Sequence, residues 1–159
     1  MRRTTFISAA ILLVAGAAVH VAAYLAGPAW LATLGAPPSV IDSARDGGWL
    51  APAGTFAIAA LLAVLAAYCL GGAGIVRRLP MTRSVLILFA TIFVLRGLLV
   101  GPVLIAGQRE WITPLGRFVA NGTTFVEGSL VVLAIGVLMA IGIVARAHPA
   151  SHGAAPAGE

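Results

Sequence analysis

In the run Phe93-Val-Leu-Arg-Gly-Leu-Leu-Val-Gly101 one arginine interrupts an otherwise apolar stretch. A guanidinium in such a place can grip a carboxylate from a neighbouring segment, or an anionic or quinone-like ligand group, through its planar fork of donors. Three further residues in comparable surroundings carry usable chemistry: Glu127, His20, and Tyr24 four positions after His20. Residues four apart share a helix face, so His20 and Tyr24 would act together. The candidate site is therefore a polar pocket in which Arg96 pairs with Glu127 and His20 and Tyr24 stand close by. Plainer roles compete for each residue. Thr124-Phe-Val-Glu127 fits a capping box, in which the glutamate satisfies the backbone at the start of its own helix. His20 fits a hydrogen-bonded structural histidine. Arg96 fits a side chain reaching outward toward water, or one meeting a helix of another protein.

The surroundings of these residues are set by composition. The chain has 159 residues, of which 60% are hydrophobic and 9% charged, and its mean hydropathy is +1.04. A soluble domain usually carries about a quarter charged residues, so this one has too few to cover a soluble surface. A helix crossing a bilayer needs roughly 20 consecutive apolar residues, and four stretches qualify, at about 6–26, 52–70, 85–106 and 125–145. The expected fold is an all-α four-helix transmembrane bundle. One domain occupies 1–146, and the small, polar, Pro- and Gly-rich segment 147–159 is expected to be a disordered tail.

All ten basic residues are arginines, and the net charge is +5 with a pI of 11.1. In a soluble chain that balance would suggest nucleic acid as a partner. Here the arginines gather at the ends of apolar stretches, which is a signal of threading. Arg2, Arg3, Arg77, Arg78, Arg83 and Arg146 fall on one side. Arg45, Arg109 and Arg117 fall on the other, offset by Asp42, Asp46 and Glu110. Both termini are thus expected in the cytoplasm, with Trp30, Trp49 and Trp111 in the opposite interface, where indole rings concentrate. The residue bias toward Ala, Gly, Arg and Pro suggests a GC-rich bacterial genome and an inner-membrane location. Residues 1–23 also have the basic start and small residues of a signal peptide. The apolar run continues through Leu25, which favours an uncleaved first helix.

Depth follows from the rise of about 1.5 Å per residue. Arg96 lies roughly 20 Å from Arg83, Glu127 roughly 28 Å from Arg146, and His20 roughly 26 Å from Arg3. The three stand at similar heights, which is the basis for grouping them. In contact with lipid, Arg96 would cost about 2.5–3.5 kcal/mol, so a partner is expected. For helix packing, Ala59, Ala63 and Ala67 form a small-residue row and Gly97 and Gly101 form a GxxxG pair, both suited to close approach. Pro102 is expected to kink or end the third helix.

Several chemistries lack their residues. No GxSxG, Walker loop, HExxH or paired-cysteine site occurs. The single cysteine, Cys69, rules out an intramolecular disulfide relay. A proton-coupled pump usually keeps a carboxylate at mid-depth, and here only Glu127 reaches even the edge of a span. Four-helix drug-efflux proteins carry a glutamate in the first span, where this chain has His20 and no carboxylate. No metal site and no cofactor are expected. The sequence reads as a non-enzymatic accessory or oligomer-forming membrane subunit whose partners are the lipid bilayer and itself or another membrane protein, not nucleic acid. The alternatives are a small-solute or lipid-like ligand carrier built on Arg96, Glu127 and His20, and an intramembrane enzyme using the same residues.

Overall fold

The computed structural model describes residues 2–77, 79–106, 110–113, 116–119 and 122–147. Four helical segments are long and apolar enough to cross a membrane: Arg3–Ala26, Leu50–Ala73, Thr82–Pro102 and Thr124–Ala145. They belong to helices α1 (Arg2–Ala26), α4 (Leu50–Ala73), α5 (Thr82–Leu98) with its continuation α6 (Val100–Ala106), and α7 (Gly122–Ala147). Two short helices, α2 (Pro28–Thr33) and α3 (Pro38–Arg45), lie between α1 and α4. The segment expected as 148–159 of the tail lies outside the described residues.

Local chemistry explains the breaks. Gly27, at φ 103°, separates α1 from α2. Gly74 ends α4 in the left-handed region at φ 74°. There its N–H donates to Gly71 O at 3.2 Å and the N–H of Ile75 donates to Leu70 O at 3.0 Å, the double bond of a Schellman stop. Between α5 and α6 the helix breaks at Leu99. Pro102 explains the position: it has no N–H to donate and its ring crowds the carbonyl four residues back, which is Leu98. The third helix, expected to kink or end at Pro102, is thus divided just before it, with a short second piece. One departure from an all-helical layout also appears. Strands β1 (Glu110–Thr113) and β2 (Gly116–Val119) pair antiparallel with Thr113 opposite Gly116. Trp111, Ile112, Phe118 and Val119 are residues that favour extended backbone.

The four long helices form two pairs. α1 packs mainly on α4 and α5 on α7, and α1 against α7 joins the pairs. The shared core lies at the end of the bundle where the arginines gather. Phe6 is its centre, 1% exposed, with Ala9, Ala10 and Leu13 from α1, Leu65, Ala66, Cys69 and Ala73 from α4, Leu86 and Ala90 from α5, and Ile135 and Met139 from α7. Two glycines make room for the Phe6 ring. A Cβ on Gly142 would stand 2.8 Å from the ring, and one on Gly72 would stand 3.2 Å from it and 3.3 Å from Leu86. In lipid, close packing and not hydrophobicity holds helices together, so this aromatic knob between glycines is the main fastening between the pairs.

At the opposite end α3 forms where Pro37 and Pro38 start it. Gly47, at φ 68°, turns the chain just beyond it. Arg45 and Asp42 pair at 3.4 Å with both side chains exposed, an arrangement worth about 0–1 kcal/mol. The N–H of Ala51 donates to Ser43 Oγ at 3.1 Å, which ties α3 to the start of α4. Trp30 and Trp49 are exposed on this end.

Candidate functional site

Arg96 projects from the last turn of α5 and is half-buried. Its Nη1 donates to Ser129 Oγ on α7 at 3.1 Å. Ser129 is fully buried, and its own hydroxyl donates to Phe125 O, one turn earlier, at 2.7 Å. The guanidinium also lies over the Phe125 ring, with Cζ 5.0 Å from the centroid, within the range of a cation–π contact. One serine oxygen therefore receives a charged donor while its proton goes to the backbone, and the aromatic ring covers the charge. The unit latches α5 to α7.

The expected partner, Glu127, is placed differently. It is exposed, and among the described residues the ion pair present is Arg45–Asp42, not Arg96–Glu127. Helix geometry gives the reason. Two positions along a helix turn a side chain by about 200°, so the face that offers Ser129 to Arg96 points Glu127 away. The capping role is displaced as well. The helix begins at Gly122, which leaves Thr124 inside the first turn and Glu127 in the second.

His20 and Tyr24 belong to the other helix pair. His20 Nδ1 donates to Gly16 O at 2.8 Å, a bond to the preceding turn of its own helix. Tyr24 meets Phe56 of α4 edge to face, with ring centroids 5.9 Å apart and planes at 66°. The contacts of Arg96 run to α7, those of His20 and Tyr24 to α1 and α4. The four residues grouped by depth fall in separate helix pairs, Arg96 and Glu127 in one and His20 and Tyr24 in the other.

The small residues also divide. A Cβ on Gly97 would meet Leu133 Cβ at 2.5 Å and Cα at 2.7 Å, whereas one on Gly101 would meet nothing within 4 Å. The reciprocal close approach comes from α7: a Cβ on Gly136 would stand 2.8 Å from the Val94 N and 3.1 Å from Ala90 O. On α4, Ala59 and Ala67 are half-buried and Ala63 is exposed. The packed face instead runs through Ala51, Thr55, Leu65, Ala66 and Cys69. Ser129, Phe125 and Gly136 were not singled out in the sequence. Their signal was faint: a hydroxyl with an aromatic one turn before it, and one glycine among many.

No group of three or more His, Cys, Asp or Glu side chains placed to hold a metal ion occurs among the described residues. The class this geometry defines is a small multi-pass helical bundle with four candidate membrane spans. No family model matches the chain, and no curated protein and no solved structure matches it.

Proposed function

We propose that the chain is a non-enzymatic subunit of the bacterial inner membrane, with both termini cytoplasmic. It works by assembling through its outward apolar helix faces with copies of itself or with another membrane protein. The observation that supports this reading is the employment of Arg96. Arg96, the arginine farthest from the ends of its apolar stretch, is engaged by Ser129 and Phe125 of the neighbouring helix, as a fastening of the bundle. His20 and Tyr24 are likewise engaged within their own pair. What the bundle offers outward is apolar: at most 33% of any span is buried inside the single chain, and Leu88, Ile92, Leu95, Val64 and Ile141 all face out. The arginine count at the two ends supports the threading.

The test is the intact mass of the complex extracted in its native lipid. A discrete protein assembly is expected, a homo-oligomer or a pairing with a second membrane protein, and Arg96→Leu is expected to carry the same set of small molecules as the wild type. A non-lipid molecule retained by the wild type and lost in Arg96→Leu would overturn the reading in favour of a carrier. Turnover of a substrate by the pure protein would overturn it in favour of an enzyme.

A further inference from the structure

A groove of about 300 Å³ runs between α5 and α7 on the outside of the bundle. Ile87, Thr91, Val94 and Leu95 line it from α5, and Ala140 and Val144 from α7. Its one polar wall group is already used, since the Thr91 hydroxyl donates to Ile87 O at 3.0 Å. The groove is therefore almost wholly apolar. It has a charged end. Ile87, Thr91 and Leu95 are spaced four apart on one helix face, and the same row continues one turn back to Arg83, which is exposed. On α7, Arg146 occupies the position three residues beyond Ile143, another wall residue. No carboxylate lies between Asp46 and Glu110 or between Glu127 and Glu159 in the sequence, so among the described residues this end of the bundle is cationic without local compensation.

We propose that this groove holds one acyl chain of an anionic phospholipid whose phosphate is held at Arg83. Length chooses the occupant. From Ile87 to Leu95 the helix rises roughly 12 Å, close to the roughly 15 Å depth of one leaflet of a 30 Å hydrocarbon core. A groove of that length, opening one helical turn from Arg83, matches a lipid tail. A helix from a second copy would need a track along the full span. Basic residues at the membrane surface attract anionic headgroups, and the apolar track below Arg83 adds a fixed seat for the tail.

The experiment uses the full chain, stripped of lipid in detergent and then offered phosphatidylglycerol or phosphatidylcholine, with retained lipid counted by native mass spectrometry. Phosphatidylglycerol is expected to bind at least fivefold more tightly than phosphatidylcholine. Arg83→Gln is expected to remove that preference. Ala140→Leu, which fills the groove, is expected to lower retention of both lipids, and Arg45→Gln at the opposite end to change neither. Thermal unfolding of each variant checks that the bundle is intact; Arg83 is exposed, so its variant tests the headgroup contact even should Ala140→Leu disturb packing. Equal retention of the two lipids by the wild type, or undiminished phosphatidylglycerol binding in Arg83→Gln, would overturn the proposal. So would a dimer broken by Ala140→Leu with no change in bound lipid, which would make the groove a seat for a second copy.

Discussion

Ser129 is the residue on which the α5–α7 latch turns, because its single oxygen serves two partners. Replacing it with Ala leaves the Arg96 guanidinium without that acceptor in a half-buried place, at a cost of about 1–2 kcal/mol. Phe125 and the hydrogen bond act on the same charge, so their effects should not add. A double-mutant cycle over Arg96→Met and Ser129→Ala, read by thermal unfolding in detergent, is expected to give a coupling of about 1 kcal/mol. A coupling near zero would mean that the latch contributes nothing and that Arg96 is held for another purpose. At this scale the sequence was half legible. Depth arithmetic identifies Arg96 as a buried charge in need of a partner, and a carboxylate is the natural choice. Which of Phe125, Glu127 and Ser129 faces α5 depends on the rotation of α7 about its axis. Depth does not contain that angle, and the helix solved the problem with a neutral hydroxyl, a backbone carbonyl and a ring.

Between elements, glycine position decides how closely helices approach. Gly97 and Gly136 lie on opposite sides of one crossing, each under the backbone of the other helix. An added methyl on either must push α5 and α7 apart, since backbone atoms cannot rotate out of the way as a side chain can. Gly97→Ala and Gly136→Ala are each expected to cost about 1–3 kcal/mol through overpacking. Gly101→Ala and Gly128→Ala, where a Cβ would meet nothing within 4 Å, are expected to fall within about 0.5 kcal/mol of the wild type. Thermal unfolding of the four variants side by side is the measurement, and equal effects at Gly97 and Gly101 would sink the crossing as described. The GxxxG spacing exposed one of these glycines and gave its neighbour the same weight. Gly101 falls beyond the interruption at Leu99, on α6, which meets α7 only slightly. The alanine row on α4 illustrates the same limit. Four-residue spacing marks a smooth face, and helix α4 has several of them in a chain this rich in alanine; the one chosen for packing also carries Leu65 and Cys69, which fill volume that alanine leaves open.

As a whole molecule the bundle is two helix pairs fastened by one aromatic knob. The four apolar stretches made the number of long helices legible, because run length alone decides what can cross a bilayer. The pairing order was not, since any helix with small residues could neighbour any other. The order α4–α1–α7–α5 has a mechanical consequence. The connection from α4 to α5, residues 74–81, joins two helices that touch only lightly, while the contact that mainly unites the pairs is α1 against α7. Cutting that connection therefore severs no principal interface. Spanning helices are separately stable units that associate within the bilayer, so fragments 1–77 and 78–159, expressed together, are expected to assemble and copurify. Phe6 sits at the junction, with its ring against Gly142 of the other fragment. Phe6→Ala in the first fragment removes packing that lipid does not replace, and is expected to weaken capture of the second about tenfold, equivalent to about 1.4 kcal/mol. The same substitution in the uncut chain is expected to lower thermal stability without dissociating anything, because the covalent connection keeps the pairs at high effective concentration. If both fragments reach the membrane and fail to copurify, the knob is not the fastening between pairs and the linker itself holds the bundle together. If they copurify equally well with Phe6→Ala, the fastening lies elsewhere along the α1–α7 seam, with Leu13 and Met139 the next buried pair to replace.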